Sequence, residues 1–370
     1  MNVMKAHHYP ALDGVRGLAI LLVILVHSTQ IPLIGILDKV WQVGAFAGWV
    51  GVDIFFVLSG FLITDILLRE KTSENYFLNF YAKRVLRIFP LYYLFLFFTF
   101  FVFPQRPAFG FTYWTFLSNI LASRLGYFPA PMLDATWSLA LEEQFYLVWP
   151  LVVYFCETRK MKLVCMGLFL TALFLRIFYF LNGANPLTNY VLLATRMDSL
   201  SAGAFLALTR SFGSTIPWKR ILAFTAVPAA CVFLVDVSHS APWMQTIGFS
   251  LNAIMAMSLL GILLQGPPVG ISKVFESLPL RVLGKYSYGM YLLHVPVIHW
   301  VFQAAEPFWK SAGSRLGMGF PIQILFQSVA ILTTLLLAFV LYHVYEKHFL
   351  KLKKYFLNAG STTATLCSQT

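Results

Sequence analysis

Residues 11–28 place an arginine and a histidine inside an otherwise apolar segment of membrane length, ALDGVRGLAILLVILVHS. Arg16 and His27 are 11 residues apart. On an α-helix this spacing puts both side chains on one face, separated by about 16 Å along the axis. A charge at bilayer depth costs about 2.5 kcal/mol or more and usually marks a functional site. We therefore expect this face to look into the protein interior; the alternative is an uncleaved signal anchor.

A second apolar segment, GVDIFFVLSGFLIT at residues 51–64, carries one carboxylate and one central glycine. Asp53 and Gly60 share a helical face. Gly60 would let another helix or a ligand approach closely. Asp53 either caps the helix or holds a catalytic imidazole or a substrate hydroxyl.

Two arginines stand where the third segment, YAKRVLRIFPLYY at residues 81–93, enters the membrane. Arg84 and Arg87 are three residues apart and therefore share a helical face. Paired guanidiniums make a fork that suits phosphate groups. The alternative is an ordinary positively charged anchor on the cytosolic side.

The segment TWSLALEEQFYLVWP at residues 136–150 carries two adjacent carboxylates into the membrane. Ser138, Glu142 and Tyr146 follow one another at four-residue steps and form a polar stripe. Glu143 lies on a leucine face instead. We therefore predict that Glu142 faces the interior, with a helix cap at the outer edge as the alternative.

Two later segments also hold charged or titratable residues. Arg196 and Asp198 are two positions apart, about 200° around a helix, so each needs a partner on another helix. An ion pair of Arg196 with Glu142 or Asp53 is as consistent with this pattern as direct chemistry. In GKYSYGMYLLHVPV, Tyr291 and His294 share a face. His294 is either a packed core histidine or a catalyst.

Composition determines the fold class in which these residues lie. The chain has 370 residues, of which 59% are hydrophobic and 11% charged, and its mean hydropathy is +0.73. These values are typical of an all-α, polytopic integral membrane helix bundle. We predict about ten transmembrane helices in a single domain, 1–350, and a basic, polar tail, 351–370, that is disordered at its end. The ten predicted spans are 11–31, 44–68, 86–104, 136–156, 161–181, 190–209, 219–236, 244–265, 286–304 and 321–346.

The lysines and arginines of the loops fall mostly on one side of these spans, which predicts that both termini are cytosolic. This distribution accounts for most of the net charge of +12, so no nucleic-acid partner is expected. The four cysteines lack metal-ligand spacing, and we expect no metal site. The apolar run near the N-terminus lacks a cleavage site and is expected to be retained. Residues 111–123 are too short to span and predict an interfacial or re-entrant helix, whereas Arg176 is expected to reach the interface.

Six of these motifs, in this order, closely resemble the membrane-bound acyltransferase 3 family over residues 11–348. They are Arg16 with His27, GVDIFFVLSGFLIT, RVLRIFPLYY, WSLALEEQFYLVWP, RMDSLSAGAFLA and YSYGMYLLHVPV. The family usually has a glutamate, a basic residue and a proline near its end. Here Glu346 and Lys347 are followed by His348 in place of the proline.

The resemblance implies ten membrane helices and transfer of an acyl group, often acetyl, from cytosolic acyl-CoA to a hydroxyl of an acceptor. The acceptor is commonly a sugar of a surface or exported glycan, or a lipid-linked saccharide. The resemblance also implies that Arg16 and His27 are essential and that Arg84 and Arg87 match the family's paired arginines. We expect a multi-pass protein of the bacterial inner membrane, without the periplasmic domain that some members append. We count as supporting residues Ser59, Gly60, Trp137, Ser138, Glu143, Arg196, Asp198, Tyr291 and His294.

The spacing of the motifs suggests how this chemistry would proceed. Arg16, Arg84 and Arg87 would bind the phosphates of acyl-CoA, and its extended arm would run along the first helix towards His27. Neutral His27 would act as general base on the acceptor hydroxyl, or would carry the acyl group itself. Asp53 or Glu142 would orient the imidazole, as a carboxylate does in a hydrolase triad.

The sequence is also compatible with two other functions. A secondary transporter or proton-coupled permease would also bury arginine, histidine and carboxylates in a bundle. Such proteins usually contain two related halves with broken helices, and we find no such halves here. A membrane scaffold without turnover is a weaker alternative.

Overall fold

The computed structural model describes residues 9–29, 41, 43–102, 109–315 and 319–356, and among them it contains helices and no β-strand. The first half of the chain forms α1 (Pro10–His27), α2 (Val50–Glu70), α3 (Tyr76–Val102), α4 (Phe111–Trp114), α5 (Ser118–Leu125), α6 (Thr136–Phe155), α7 (Met161–Leu181) and α8 (Pro186–Val191). The second half forms α9 (Leu193–Ser211), α10 (Trp218–Val235), α11 (Phe249–Leu264), α12 (Val269–Phe275), α13 (Leu278–Ala304), α14 (Glu306–Arg315), α15 (Gly319–Leu341) and α16 (Lys347–Lys351).

Each of the ten predicted spans overlaps a long helix or a helix pair, although the predicted ends at 30–31 and 103–104 lie outside the described residues and α3 and α13 begin earlier than predicted. Within the described ranges, eight helical segments are long and apolar enough to cross a membrane. The other two predicted spans correspond to α6 and α13, which carry many of the polar candidate residues. The all-α, multi-pass fold class is therefore confirmed. The count of ten spans and the cytosolic termini stay predictions, and the predicted disordered end of the tail, after Gly360, lies outside the described residues.

The central helices approach one another closely because glycines face backbone across their interfaces. α2 packs along α9, and α1 packs along both α13 and α2. At Gly60 of α2, a methyl group would overlap the carbonyl oxygen of Leu200 on α9. At Gly203 of α9, it would overlap the carbonyl oxygen of Val57 on α2. This reciprocal contact brings the polar residues of α2 and α9 within reach of each other.

Residues 111–123, predicted as one interfacial or re-entrant helix, form two short helices, α4 and α5. They pack against the bundle through backbone and amide hydrogen bonds. The Tyr92 hydroxyl donates to the carbonyl oxygen of Tyr113 at 2.8 Å, and the Gln144 side chain donates to Asn119 at 2.9 Å. This segment therefore packs against α3 and α6, while its position relative to the membrane stays a prediction.

Candidate active site

A cavity of about 220 Å³ lies between α1, α2, α3, α6 and α13 and is lined by three arginines and one carboxylate. These are Arg16 from α1, Arg84 and Arg87 from α3, and Glu142 from α6. We call this space the inner cavity, because it lies on the side of Arg16. Arg84 and Arg87 both reach this wall because their three-residue spacing puts them on one face of α3.

The three guanidiniums are held by different partners and remain partly accessible. Arg16 donates to the Asp13 carboxylate at 3.0 Å, and its side chain is 34% exposed. Arg87 lies 3.3 Å from the Glu346 carboxylate and is 31% exposed. Arg84 lies over the ring of Tyr146, 5.5 Å from its centroid. Three guanidiniums therefore meet at the wall of the inner cavity, and two of them are paired with carboxylates behind it.

Glu142 and Glu143 have different environments, as the four-residue polar stripe predicted. Glu142 lines the inner cavity beside Ser59 and Tyr146, whose hydroxyl groups hydrogen-bond to each other. Glu143 is not among the residues that line this cavity. Its Oε1 is buried and makes no hydrogen bond within the described part of the chain. Glu142 is therefore the carboxylate positioned to act in the inner cavity.

A second cavity, of about 490 Å³, lies at the other end of α1 and contains His27. Its wall includes Trp137, Tyr190, Asp134 and His239, from α6, α8 and two loops. We call this space the outer cavity. Because His27 is the last residue of α1, its ring projects where the helix ends and the outer cavity begins.

The His27 imidazole lies beside a second imidazole. Its Nδ1 is 2.8 Å from the carbonyl oxygen of Val23, one turn earlier in α1. Its ring centroid is 4.8 Å from that of His294, at an interplanar angle of 79°. His294 is fully buried, and its Nδ1 is 2.6 Å from the carbonyl oxygen of Tyr291. When Nδ1 of His27 carries the proton and donates to Val23, Nε2 carries the lone pair that a general base requires.

Two residues, Val52 and Tyr291, line both cavities. The Tyr291 hydroxyl is 2.5 Å from the hydroxyl of Ser138, so this contact joins α13 to α6 between the two spaces. Arg16 and His27 thus do not share one cavity. They line adjoining cavities that are separated by Val52 and the Tyr291 side chain.

Asp53 is paired with Arg196 in an ion pair that is fully buried. The other Asp53 oxygen accepts a hydrogen bond from the Asn252 amide at 3.0 Å. Arg196 also lies over the ring of Phe249, 4.0 Å from its centroid. Of the two partners predicted for Arg196, Asp53 is therefore the one that forms the ion pair. A carboxylate with both oxygens engaged in this way connects α2, α9 and α11, and we do not assign it to His27.

Asp198 has its own buried partner, Arg176 on α7, at 2.7 Å. The Arg176 guanidinium also donates to Ser250 at 2.5 Å and to the backbone of Thr195. The expectation that Arg176 reaches the membrane interface was wrong. Its side chain can be fully buried because α9, α11 and the turn before α11 provide one anion and three oxygen acceptors in place of water.

Two polar residues near the site were not identified from the sequence: Asp134 and His239. Asp134 and His239 lie in loops, where no helical periodicity reveals which way a side chain faces. Burial raises the pKa of the Asp134 carboxyl to about 8. Burial, together with the charge of Arg196, lowers the pKa of the His239 imidazole to about 4. Near neutral pH the outer cavity thus presents a protonated carboxyl and a neutral imidazole. Glu346, the glutamate of the family's end motif, was not predicted at the site, where it pairs with Arg87.

An apolar helical bundle that encloses arginines, carboxylates and two adjacent imidazoles around adjoining cavities defines a multi-pass membrane protein with a site for polar chemistry. The chain belongs to the acyltransferase 3 family, because the family model described as an acyltransferase domain matches residues 9–343. The resemblance stated from the six motifs is thereby confirmed, and the bacterial relatives described next agree with a multi-pass bacterial membrane protein.

Two curated relatives illustrate the similarity. Peptidoglycan O-acetyltransferase OatA of Listeria monocytogenes is 32% identical over 322 residues, which are 79% of this chain and 49% of that protein. O-acetyltransferase OatA of Staphylococcus aureus is 28% identical over 329 residues, 81% of this chain and 52% of that protein. The chain therefore spans about half the length of the curated relatives it matches. No solved structure matches the chain.

Proposed function

We propose that this chain transfers an acyl group, specifically acetyl, from acetyl-CoA on the cytosolic side to a hydroxyl of a glycan on the outer side. The observation that carries the proposal is the pair of adjoining cavities, one lined by arginines and the other by His27, with Tyr291 at the wall of both. The relatives named as O-acetyltransferases support the reaction type and a glycan acceptor.

The inner cavity supports donor binding through its guanidinium groups and its size. Coenzyme A carries phosphate groups, for which guanidiniums provide strong, charge-assisted hydrogen bonds. Pockets that enclose a drug-sized ligand measure about 300–1,000 Å³. A cavity of about 220 Å³ admits only part of acetyl-CoA. We therefore assign the thioester arm to the inner cavity and the phosphates to Arg16, Arg84 and Arg87 at its wall.

The reaction needs a base for the hydroxyl proton and a path for the leaving thiol. In the proposed step, Nε2 of His27 accepts the acceptor's O–H proton as that oxygen attacks the thioester carbonyl carbon. The C–S bond then breaks, and the imidazolium returns the proton to the coenzyme thiolate. Direct attack requires the thioester to pass Tyr291, which separates the cavities. His294, held by the Tyr291 carbonyl, would position the His27 ring.

Proteoliposomes that contain the full chain provide the test. Acetyl-CoA with a labelled acetyl group is supplied on one side of the membrane, and tetra-N-acetylchitotetraose is enclosed on the other. We expect label in the oligosaccharide and an equal amount of free coenzyme thiol. Accumulation of intact acetyl-CoA or of free acetate in the lumen, without labelled sugar, would contradict the proposal and favour a transporter.

A further inference from the structure

The outer cavity contains two buried polar atoms to which the structure assigns no partner. Oδ1 of Asp134 and Nδ1 of His239 are buried and make no hydrogen bond within the described ranges. Both residues line the same cavity as His27. Buried polar groups in folded proteins are nearly always hydrogen-bonded to protein or to ordered water. Two unpaired atoms at one cavity wall therefore call for a partner from the cavity, either water or a ligand.

Aromatic rings form the wall next to these atoms. The His239 ring stacks on Tyr190, with centroids 4.3 Å apart and planes 11° apart. The Tyr190 ring is in turn 4.7 Å from that of Trp137. The cavity thus combines an apolar aromatic surface with isolated polar groups, as small-molecule sites commonly do.

This combination matches the surface of a sugar. A sugar ring has hydroxyl or amide groups around its edge and C–H bonds on its faces. The edge groups both donate and accept hydrogen bonds, which suits a carboxyl and an imidazole. The C–H faces suit an aromatic surface. A fixed charge on the ligand is not required, because burial keeps both Asp134 and His239 in their neutral forms near pH 7.

We propose that the outer cavity binds the acceptor as a saccharide, and that Asp134 and His239 bind its hydroxyl or amide groups while one hydroxyl lies beside His27. This inference rests on the proposed function and adds to it the binding residues for the acceptor. Trp137 and Tyr190 provide the surface on which the sugar ring lies. None of these four residues lines the inner cavity, so their effect on the donor is expected to be small.

The test uses the full chain in detergent micelles, which expose both cavities to the solution. Asp134→Ala and His239→Ala are each compared with the wild type, with labelled acetyl-CoA as donor and tetra-N-acetylchitotetraose as acceptor. Loss of one hydrogen bond to a bound ligand should raise the KM for the oligosaccharide by about tenfold. The KM for acetyl-CoA should stay within about twofold of the wild type, which also shows that the variants fold.

Asp65→Ala is the matched control, since Asp65 pairs with Arg69 at the other end of α2 and lines neither cavity. An oligosaccharide KM that is unchanged in both test variants would overturn the inference and leave the proposed function standing. Thioester cleavage by the wild type without transfer to the sugar would reject a saccharide acceptor. No thioester cleavage by the wild type would reject the proposed function itself.

Discussion

The imidazole of His27 lies edge-on to the imidazole of His294, with ring centroids 4.8 Å apart. The two residues come from α1 and α13, which pack along each other. His294 is held by the Tyr291 carbonyl oxygen, and Tyr291 stands at the boundary of the two cavities. The neighbour of the proposed base is therefore a second imidazole, whereas Asp53 is paired with Arg196.

His27→Ala should lower kcat for acetyl transfer by about 10²–10⁴-fold, because positioned general bases contribute rate factors of this size. Binding of acetyl-CoA should be unchanged, since His27 does not line the inner cavity. The measurement is initial rate and donor affinity of the purified chain. His299→Ala is the matched control, because His299, unlike His27, lines neither cavity. Full activity in His27→Ala would remove His27 from the mechanism.

Arg84→Ala combined with Arg87→Ala should raise the KM for acetyl-CoA by about 10²–10⁴-fold, because charge-assisted hydrogen bonds contribute about 1.5–3 kcal/mol each and the double variant removes two. The oligosaccharide KM should not change. Arg69→Ala is the control, as Arg69 pairs with Asp65 and lines neither cavity. A KM for acetyl-CoA equal to that of the wild type would show that Arg84 and Arg87 do not bind the donor and would favour the alternative, a membrane anchor.

Tyr291→Phe should raise acetyl-CoA hydrolysis in the absence of acceptor severalfold. The substitution removes the hydroxyl that bonds to Ser138, so the wall between the cavities is held less firmly and water reaches the thioester more often. Release of coenzyme thiol without oligosaccharide measures this reaction. Tyr154→Phe, at an exposed position of α6, is the control. Hydrolysis at the wild-type rate would show that the hydrogen bond between Tyr291 and Ser138 does not keep water from the thioester.

Asp53→Asn should destabilise the protein by about 3–5 kcal/mol, because it leaves the buried Arg196 without its counter-charge. Asp53→Leu combined with Arg196→Met should recover most of that loss, since no uncompensated charge remains. Thermal unfolding in detergent, followed by intrinsic fluorescence, measures both effects. If Asp53→Asn unfolds at the wild-type temperature yet loses activity, Asp53 acts in the chemistry rather than in the ion pair.

Asp134→Asn should change how stability depends on pH. Burial raises the pKa of Asp134 to about 8, above its usual value of 3.8, so the folded protein binds a proton that the unfolded chain releases. The contribution of this carboxyl is fully present below about pH 4 and is lost as pH rises through about 8. The unfolding temperature of the wild type should therefore fall relative to Asp134→Asn between pH 5 and pH 8. A constant difference across that range would contradict the raised pKa.

The spacing of residues along the sequence was sufficient to predict which side chains share a face of a single helix. The spacing of Arg16 and His27 required a common face, and α1 includes both residues. Four-residue steps distinguished Glu142 from Glu143, and three-residue spacing placed Arg84 with Arg87 at one wall. Uninterrupted apolar runs of about 20 residues were likewise sufficient for the all-α, multi-pass class, because a helix of that length crosses a membrane with its backbone hydrogen bonds satisfied internally.

Tertiary packing decided which elements meet, and periodicity contains no information about that. The close glycine contacts between α2 and α9 bring Arg196 next to Asp53. The packing of α7 against α9 buries Arg176 beside Asp198, whereas its position near a helix end had predicted that it reaches the interface. Asp134 and His239 became neighbours of His27 only because two distant loops close over the end of α1. The sequence by itself thus determined the helices, their polar faces and the family. The three-dimensional packing alone decided the pairing of charges and the division of the site at Tyr291, because each depends on contacts between residues far apart in the chain.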